Sequence, residues 1–320
     1  MIITRISSGM GNQMFMYAAG LAAALRLNTE LILDTSSFDA LPPHTSSRAD
    51  RPYQLSCFPY ITERKASFRD VRRLSPGLAV VNAINSKPVK KYHLCRRIVR
   101  KAITLLDLAP ADYYYIVNLP KDAPFPYPYK FSRICIENSA HKDKFKYIPD
   151  NTYLTGYWES EDYFTDYAEA VRRKFRFPPE CFDPSLSERV RACNSVAVHV
   201  RRGDKVREDD SQASNLHYLR HAIAKIMSLT ENPEFFVFSD DVEWCRKHLC
   251  KAHEAEYHFV DGLTVAQDMA LMSICNHVIM GPSTFSWWGA WLNENPHKIV
   301  LAPDRKINLS WYPRGAILID

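Results

Sequence analysis

Residues 195–206 read SVAVHVRRGDKV, an apolar run that ends abruptly in His199, Arg201, Arg202 and Asp204. A guanidinium is permanently charged and its planar fork matches phosphate oxygens, each charge-assisted bond contributing about 1.5–3 kcal/mol. Two of them at the end of a buried strand are chemistry for holding an anion. The bland alternative is a surface network in which Arg201 and Arg202 pair with Asp204 and contribute little. Position favours the anion, because parallel α/β sheets bind ligands beyond the carboxyl ends of their strands.

A second anion site is written in GPSTFSWWGAW at 281–291, where Ser283 and Thr284 open an aromatic helix. Free backbone N–H groups and the helix dipole gather at such a terminus, and the same donors serve a phosphate or a simple cap. FSDD at 238–241 offers Asp240 and Asp241 either to a nucleoside edge or as a cap for the helix beginning at Val242. EDD at 208–210 reads as a solvated loop, so no metal site is expected. YWES at 157–160 ends a strand, and Trp158 there either stacks on a sugar or packs in the core, with Glu159 beside it.

GMGNQM at 9–14 follows a strand, opens a helix and is trailed by Asp34, as a dinucleotide fingerprint requires. Met14 occupies the third glycine position, where a side chain obstructs close strand-to-helix packing. That weakens an NAD-binding oxidoreductase reading without removing it.

The elements that must position these groups alternate regularly after the linker RFPPECFDP: strand VAVHV, helix SNLHYLRHAIAKIM, strand EFFVFSD, helix VEWCRKHL, strand EYHFVD, helix VAQDMALMSI, strand HVIM, helix FSWWGAWLN and strand KIVLAP. This pattern builds a parallel sheet covered on both faces. The start reads IITRI, helix, TELILD, a βαβ unit. SEDYFTDYAEAVRRKF predicts one helix capped by Ser160, and CRRIVRKAITLLDL predicts another, while the rest of residues 40 to about 130 gives no clear pattern. The expected division is 1–178 and 179–320, two α/β Rossmann-like domains facing a cleft.

With 46% hydrophobic and 24% charged residues the chain is globular, not disordered or fibrous, and a net charge of +5 is too small to indicate nucleic acid. Eight cysteines without CxxC pairs, and a start lacking a signal-like apolar run, predict reduced thiols and a cytoplasmic location. Seven Lys or Arg fall between 87 and 101, with Leu94, Ile98, Val99, Ala102, Leu105 and Leu106 at helical spacing. Such a helix over residues 87–106 either lies on an anionic membrane surface as a peripheral contact or docks on its own domain.

GMGNQMF, HVRRGD and STFSWWGAWLN, in that order, resemble the bacterial α-1,2-fucosyltransferases of glycosyltransferase family 11, which share an HxRRxD signature with α-1,6- and protein O-fucosyltransferases. The resemblance implies a GT-B-like fold, GDP-β-L-fucose as donor and a terminal galactose on an oligosaccharide or lipid-linked glycan as acceptor. It further implies inversion and no cofactor or metal. By it, Arg201 holds the pyrophosphate with His199 and Arg202 beside it, and Asp204 orients the loop. Ser283, Thr284 and Ser286 contact phosphate, Asp240 or Asp241 contacts guanosine, and Gly11 and Asn12 lie near the reacting sugar. Trp158 and Glu159 are the acceptor-side candidates. Ser8 stands where glycine is usual and Pro282 where Asn is usual. A linkage such as α-1,6 onto GlcNAc is the nearest rival.

Overall fold

A computed structural model describes residues 1–38, 52–85, 98–99, 133–137, 139–202, 209–249, 255–305 and 311–320. The chain forms two units, one of residues 1–56 and 60–174, the other of 57–59 and 175–320. The division thus falls a few residues before the position read from the sequence, and a three-residue segment near residue 58 belongs with the C-terminal unit.

In the N-terminal unit, β1 (Ile2–Arg5), β2 (Leu31–Asp34), β3 (Ile134–Ile136) and β4 (Thr152–Thr155) make a parallel sheet in the order β2-β1-β4-β3. Strands covered on both faces are apolar throughout, and β1 shows how. Ile3 packs toward α2 (Phe68–Leu74) and α3 (Pro76–Asn85), among Val71, Leu74 and Leu78. Thr4 points the other way and donates its hydroxyl to the Met16 carbonyl in α1 (Met10–Arg26) at 3.1 Å. A Cβ on Gly20 would lie 2.9 Å from the Thr4 side chain. The glycine that lets helix and strand approach is therefore at 20, and Met14 is buried in α1.

Helices α2 and α3 fall where the sequence pattern is unclear, and strand β3, just beyond that stretch, is not read from the sequence. Ser67 and Asp70 form a capping box for α2, a signal present as SFRD. The single helix expected from Ser160 instead breaks into two short turns, Glu161–Tyr163 and Thr165–Tyr167, before α4 (Ala168–Lys174). The break is at Phe164, whose φ of −138° leaves the helical region and whose ring is buried against Phe15. Of the basic segment 87–106 only residues 98–99 are described, both helical, so that expectation lies outside the described residues.

The C-terminal unit holds β5 (Asn194–Val200), β6 (Pro233–Ser239), β7 (Glu256–Val260), β8 (His277–Ile279), β9 (Val300–Pro303) and β10 (Ile317–Ile319), all parallel, in the order β10-β9-β8-β5-β6-β7. The connecting helices are α5 (Pro184–Ala192), α6 (Asp209–Leu229), α7 (Val242–Leu249), α8 (Val265–Ser273) and α9 (Thr284–Leu292). Val196, Val198 and Val200 bury one face of β5 under Leu219, Ala222 and Ile223 of α6. From β5 the chain builds outward to β6 and β7, then returns to lay β8 against the other side of β5. That reversal is a switch point, and open parallel sheets bind ligands at such a point, here the carboxyl ends of β5 and β8.

Candidate functional site

The two segments flagged for anion chemistry meet at this switch point. Since the even-numbered valines of β5 face α6, His199 faces the opposite side, with its ring 5.5 Å from Phe285 at the start of α9. The turn leaving β8 passes so near that a Cβ on Gly281 would lie 2.7 Å from the His199 carbonyl oxygen and 2.8 Å from Nδ1. Glycine is required there by contact, not by dihedral angle. Burial, with Arg201 nearby and Asp240 opposing, lowers the His199 pKa to about 4, so the imidazole is neutral at pH 7. Its Nδ1 is buried and has no hydrogen-bond partner among the described residues.

Pro282 has a structural reason. The Ser283 N–H donates to the Gly281 carbonyl at 2.8 Å, an i to i+2 bond that makes a γ-turn centred on proline. A fixed φ suits that turn. Ser283 then caps α9 by accepting from the Phe285 N–H at 3.2 Å, and Thr284 follows half-buried in the first turn. Ser286 is fully buried and directs its hydroxyl proton to the carbonyls of Gly281 and Ser283, at 3.0 and 3.1 Å. Its hydroxyl thus holds the turn from behind, a role the phosphate-contact expectation did not include. Trp287, Trp288 and Trp291 are core residues, and Trp288 stacks edge-on against Phe175, which also packs on Phe58.

Arg201 and Arg202 both leave the strand half-buried, but Arg202 is tied to its neighbours by several contacts. Its backbone N–H donates to Asp240 at 2.8 Å, its Nε donates to Asp241 at 3.0 Å, and its guanidinium carbon lies 3.9 Å from the centre of the Trp244 ring. Asp241, not Asp240, caps α7, accepting from the Trp244 N–H at 3.1 Å. The Arg202 guanidinium and the Trp244 N–H hold the Asp241 carboxyl below its ordinary range against an opposing effect of burial. Asp204 lies outside the described residues, and Asp209 and Asp210 open α6 instead of sitting in a loop.

Sequence reasoning passed over Asp268, in the first turn of α8 beyond the carboxyl end of β7. Burial, and then Asp261, push its carboxyl up to about 7. The only signal was an acid set among apolar residues in VAQDMALMS.

In the N-terminal unit the corresponding strand ends are held by amides and one carboxyl. Ser8 adopts φ +67°, the left-handed region that favours glycine, and accepts from the Asn12 side chain at 3.3 Å. Gln13 is buried and donates to the carbonyls of Ser8 and Pro52 at 2.7 and 2.9 Å while accepting from the Gln54 N–H at 2.9 Å. It pins the loop before α1, in which Gly11 is buried and Asn12 half-exposed. Asp34 is buried and accepts from Tyr153, Asn82 and the Ser36 N–H, so the acid a dinucleotide ribose would need is spent inside the fold.

Trp158 is a correction. It is 1% exposed, at φ +56°, and packs against Phe145 and Tyr163, each with ring centres 5.1 Å away, so no face remains for a sugar. Its backbone N–H donates to Glu137 at 2.5 Å. Gly156 leaves room for that carboxyl, since a Cβ there would fall 2.3 Å from the Glu137 Cβ. Burial first, and half-buried Glu159 next, push Glu137 up to about 7 against the Trp158 and Tyr157 N–H groups and Lys142.

Among the described residues one set could hold a cation, Glu234, Glu256 and His258. It lies toward the amino ends of β6 and β7, away from Arg201, and Arg189 is already bonded to Glu256 and set 3.3 Å from His258.

The glycosyl transferase family 11 model matches residues 134–309. An alpha-1,2-colitosyltransferase of Escherichia coli is 31% identical, over 94% of this chain and 91% of that protein. The O-antigen biosynthesis glycosyltransferase WbnK of Escherichia coli is 28% identical over 93% and 92%. Galactoside alpha-(1,2)-fucosyltransferase 2 of Oryctolagus cuniculus is 29% identical over 57% and 56%. Among solved structures, fucosyltransferase NodZ from Bradyrhizobium is 17% identical with a TM-score of 0.44, over 90% of this chain and 91% of that one. The family model, which matches more than half of the chain, and the 31% identical relative, matched along 94% of it, make the chain a member of glycosyl transferase family 11.

Proposed function

We propose that the chain transfers L-fucose from GDP-β-L-fucose to the 2-hydroxyl of a terminal galactose, with inversion and without a metal ion. Breaking the bond between the sugar C1 and the β-phosphate puts negative charge on departing GDP, and stabilising it is the main catalytic task. The observation that carries the reading is that the carboxyl end of β5 packs on the turn that opens α9, with His199, two residues before Arg201, against Gly281 and Phe285 at the β5–β8 switch point. There Arg201 supplies the charge, Ser283 and Thr284 the helix-end donors, and neutral His199 a ring that does not add a competing cation. Arg202 and Asp241 hold the turn, and Asp240 or Asp268 receives the guanine N–H donors. Asn12 faces the reacting sugar from the first turn of α1.

A second donor has a specific argument, because the 31% identical relative is a colitosyltransferase. Colitose is fucose lacking the 3-hydroxyl, so the same diphosphate machinery serves both. The relatives also support an O-antigen glycan, free or lipid-linked, as the acceptor. Among the described residues no helix is long and apolar enough to cross a membrane. A peripheral contact through residues 87–106 is part of this proposal, and co-sedimentation with anionic liposomes at low salt tests it: failure to bind removes that contact.

The deciding experiment incubates the protein with GDP-fucose or GDP-colitose and a panel of galactose- and GlcNAc-terminated acceptors, with EDTA present, and reads the linkage by NMR. Transfer to O2 of galactose is the expected result. An α-1,6 product on GlcNAc, or loss of turnover with the chelator, overturns the corresponding part.

A further inference from the structure

Resting on the donor-site reading above and deepening it, we propose that Trp244 is a positioning residue whose ring holds the Arg202 guanidinium, and through it the Arg201–Arg202 turn, in place for the donor diphosphate. Pairing of β5 with β6 ends at Val200 opposite Ser239, so the two arginines lie past the last ladder contact and need another tether. Three contacts supply it in a closed ring. Asp241 Oδ2 accepts from Arg202 Nε, Asp241 Oδ1 accepts from the Trp244 N–H, and the Trp244 ring lies 3.9 Å from the Arg202 guanidinium carbon. His248 stacks on the same indole, 4.4 Å away and tilted by 19°, and its Nδ1 sits 2.8 Å from the Trp244 carbonyl, which fixes the ring's attitude.

The Arg202 side chain is only 10% exposed, so water does little to screen its attraction to the ring. A merely apolar filler at 244 would pack against the same core without fixing the plane of the guanidinium. The arrangement also explains arginine at 202, because only arginine offers an Nε donor to Asp241 while presenting a flat cation to the indole.

The test is calorimetric titration of GDP into the wild type, Trp244→Leu, Trp244→Phe, Arg202→Lys and the double variant Arg202→Lys/Trp244→Leu, with thermal unfolding of each apo form. Trp244→Leu keeps apolar contact and removes the π face, and is expected to weaken GDP about tenfold and raise the donor KM likewise with kcat little changed. Trp244→Phe restores most of the affinity. In the Arg202→Lys background the Leu substitution costs less than about twofold, because residues that act through one another are not additive. Should Trp244→Leu be unfolded, Trp244→Met, which keeps more volume, takes its place in the cycle. Wild-type affinity in the folded Leu or Met variant overturns the proposal, as does an undiminished penalty in the Arg202→Lys background. Failure of the wild type itself to bind GDP overturns the donor reading, and the proposal with it.

Discussion

At the carboxyl ends of the C-terminal strands, charge is gathered: Arg201 and Arg202 leave β5, Asp240 and Asp241 leave β6, and α9 begins against His199. At the carboxyl ends of the N-terminal strands the polar groups are turned inward, with Gln13 pinning the loop before α1 and Glu137 caught by the Trp158 N–H. The first arrangement suits an anion that arrives with its own charge. The second suits a neutral polyol, which needs shape and a few hydrogen bonds but no counter-ion. The proposed function puts the nucleotide-sugar donor on the C-terminal unit and the sugar acceptor on the N-terminal one.

Arg201→Lys is the sharpest way to break that contrast. Lysine keeps the charge and loses the fork, and removing one donor to developing charge costs about 100-fold or more in turnover, near 3 kcal/mol. Steady-state kinetics on a variant shown folded by circular dichroism decides it. Wild-type turnover would move the charge stabilisation to some other group.

Gly281→Ala attacks the same site through packing. The new methyl must displace the His199 carbonyl or the β8 turn, and overpacking of this kind costs about 1–3 kcal/mol. A melting temperature several degrees lower, together with weaker GDP binding, is the expected pair of results. Lower stability with unchanged GDP affinity would uncouple the turn from the donor.

The N-terminal arrangement answers to pH. With its folded pKa raised to about 7 from an ordinary 4.5, Glu137 keeps its proton in the folded state while the unfolded chain releases it. Its contribution to stability is therefore lost progressively as pH rises from about 4.5 to about 7, and is constant beyond. Glu137→Gln keeps an acceptor for the Trp158 N–H and removes the titration. Melting curves between pH 5 and 8 should flatten in the variant, and an unaltered slope would assign the pH dependence elsewhere. Asp268 is raised to about 7 in the other unit and supplies a control, since Asp268→Asn should flatten the same window while also changing GDP affinity.

How readable each site was follows from the same contrast. Arg201, Arg202, Ser283 and Thr284 announce themselves because charge and capping chemistry are local properties of a few adjacent residues. The regular strand–helix alternation after residue 194 places them without further information. What stayed hidden depends on contacts between distant segments. Gly281 is needed because of His199, Gly20 because of Thr4, and Gly156 because of Glu137. Trp158 stayed open between a sugar platform and core packing because aromatic identity says nothing of which face a left-handed residue presents. Strand β10 escaped notice for a simpler reason: it is a three-residue edge strand, partly exposed, with too little periodicity to register.

Ser8 gives the smallest and most discriminating test, because two local effects oppose each other there. Its φ of +67° is a conformation that costs an ordinary residue about 1 kcal/mol relative to glycine. Against that, its hydroxyl accepts from Asn12 across 3.3 Å, a long, partly exposed contact at the weak end of the range. Strain should therefore outweigh the bond, and Ser8→Gly should raise stability by about 0.5 kcal/mol in denaturant titration. If Asn12 is placed mainly by α1 and by the Gln13 clamp on the Ser8 carbonyl, turnover changes by less than about twofold, a barrier difference of roughly 0.4 kcal/mol. A large fall in kcat would instead make the serine hydroxyl part of what holds Asn12 toward the sugar, and the N-terminal strand ends would then carry chemistry as well as shape.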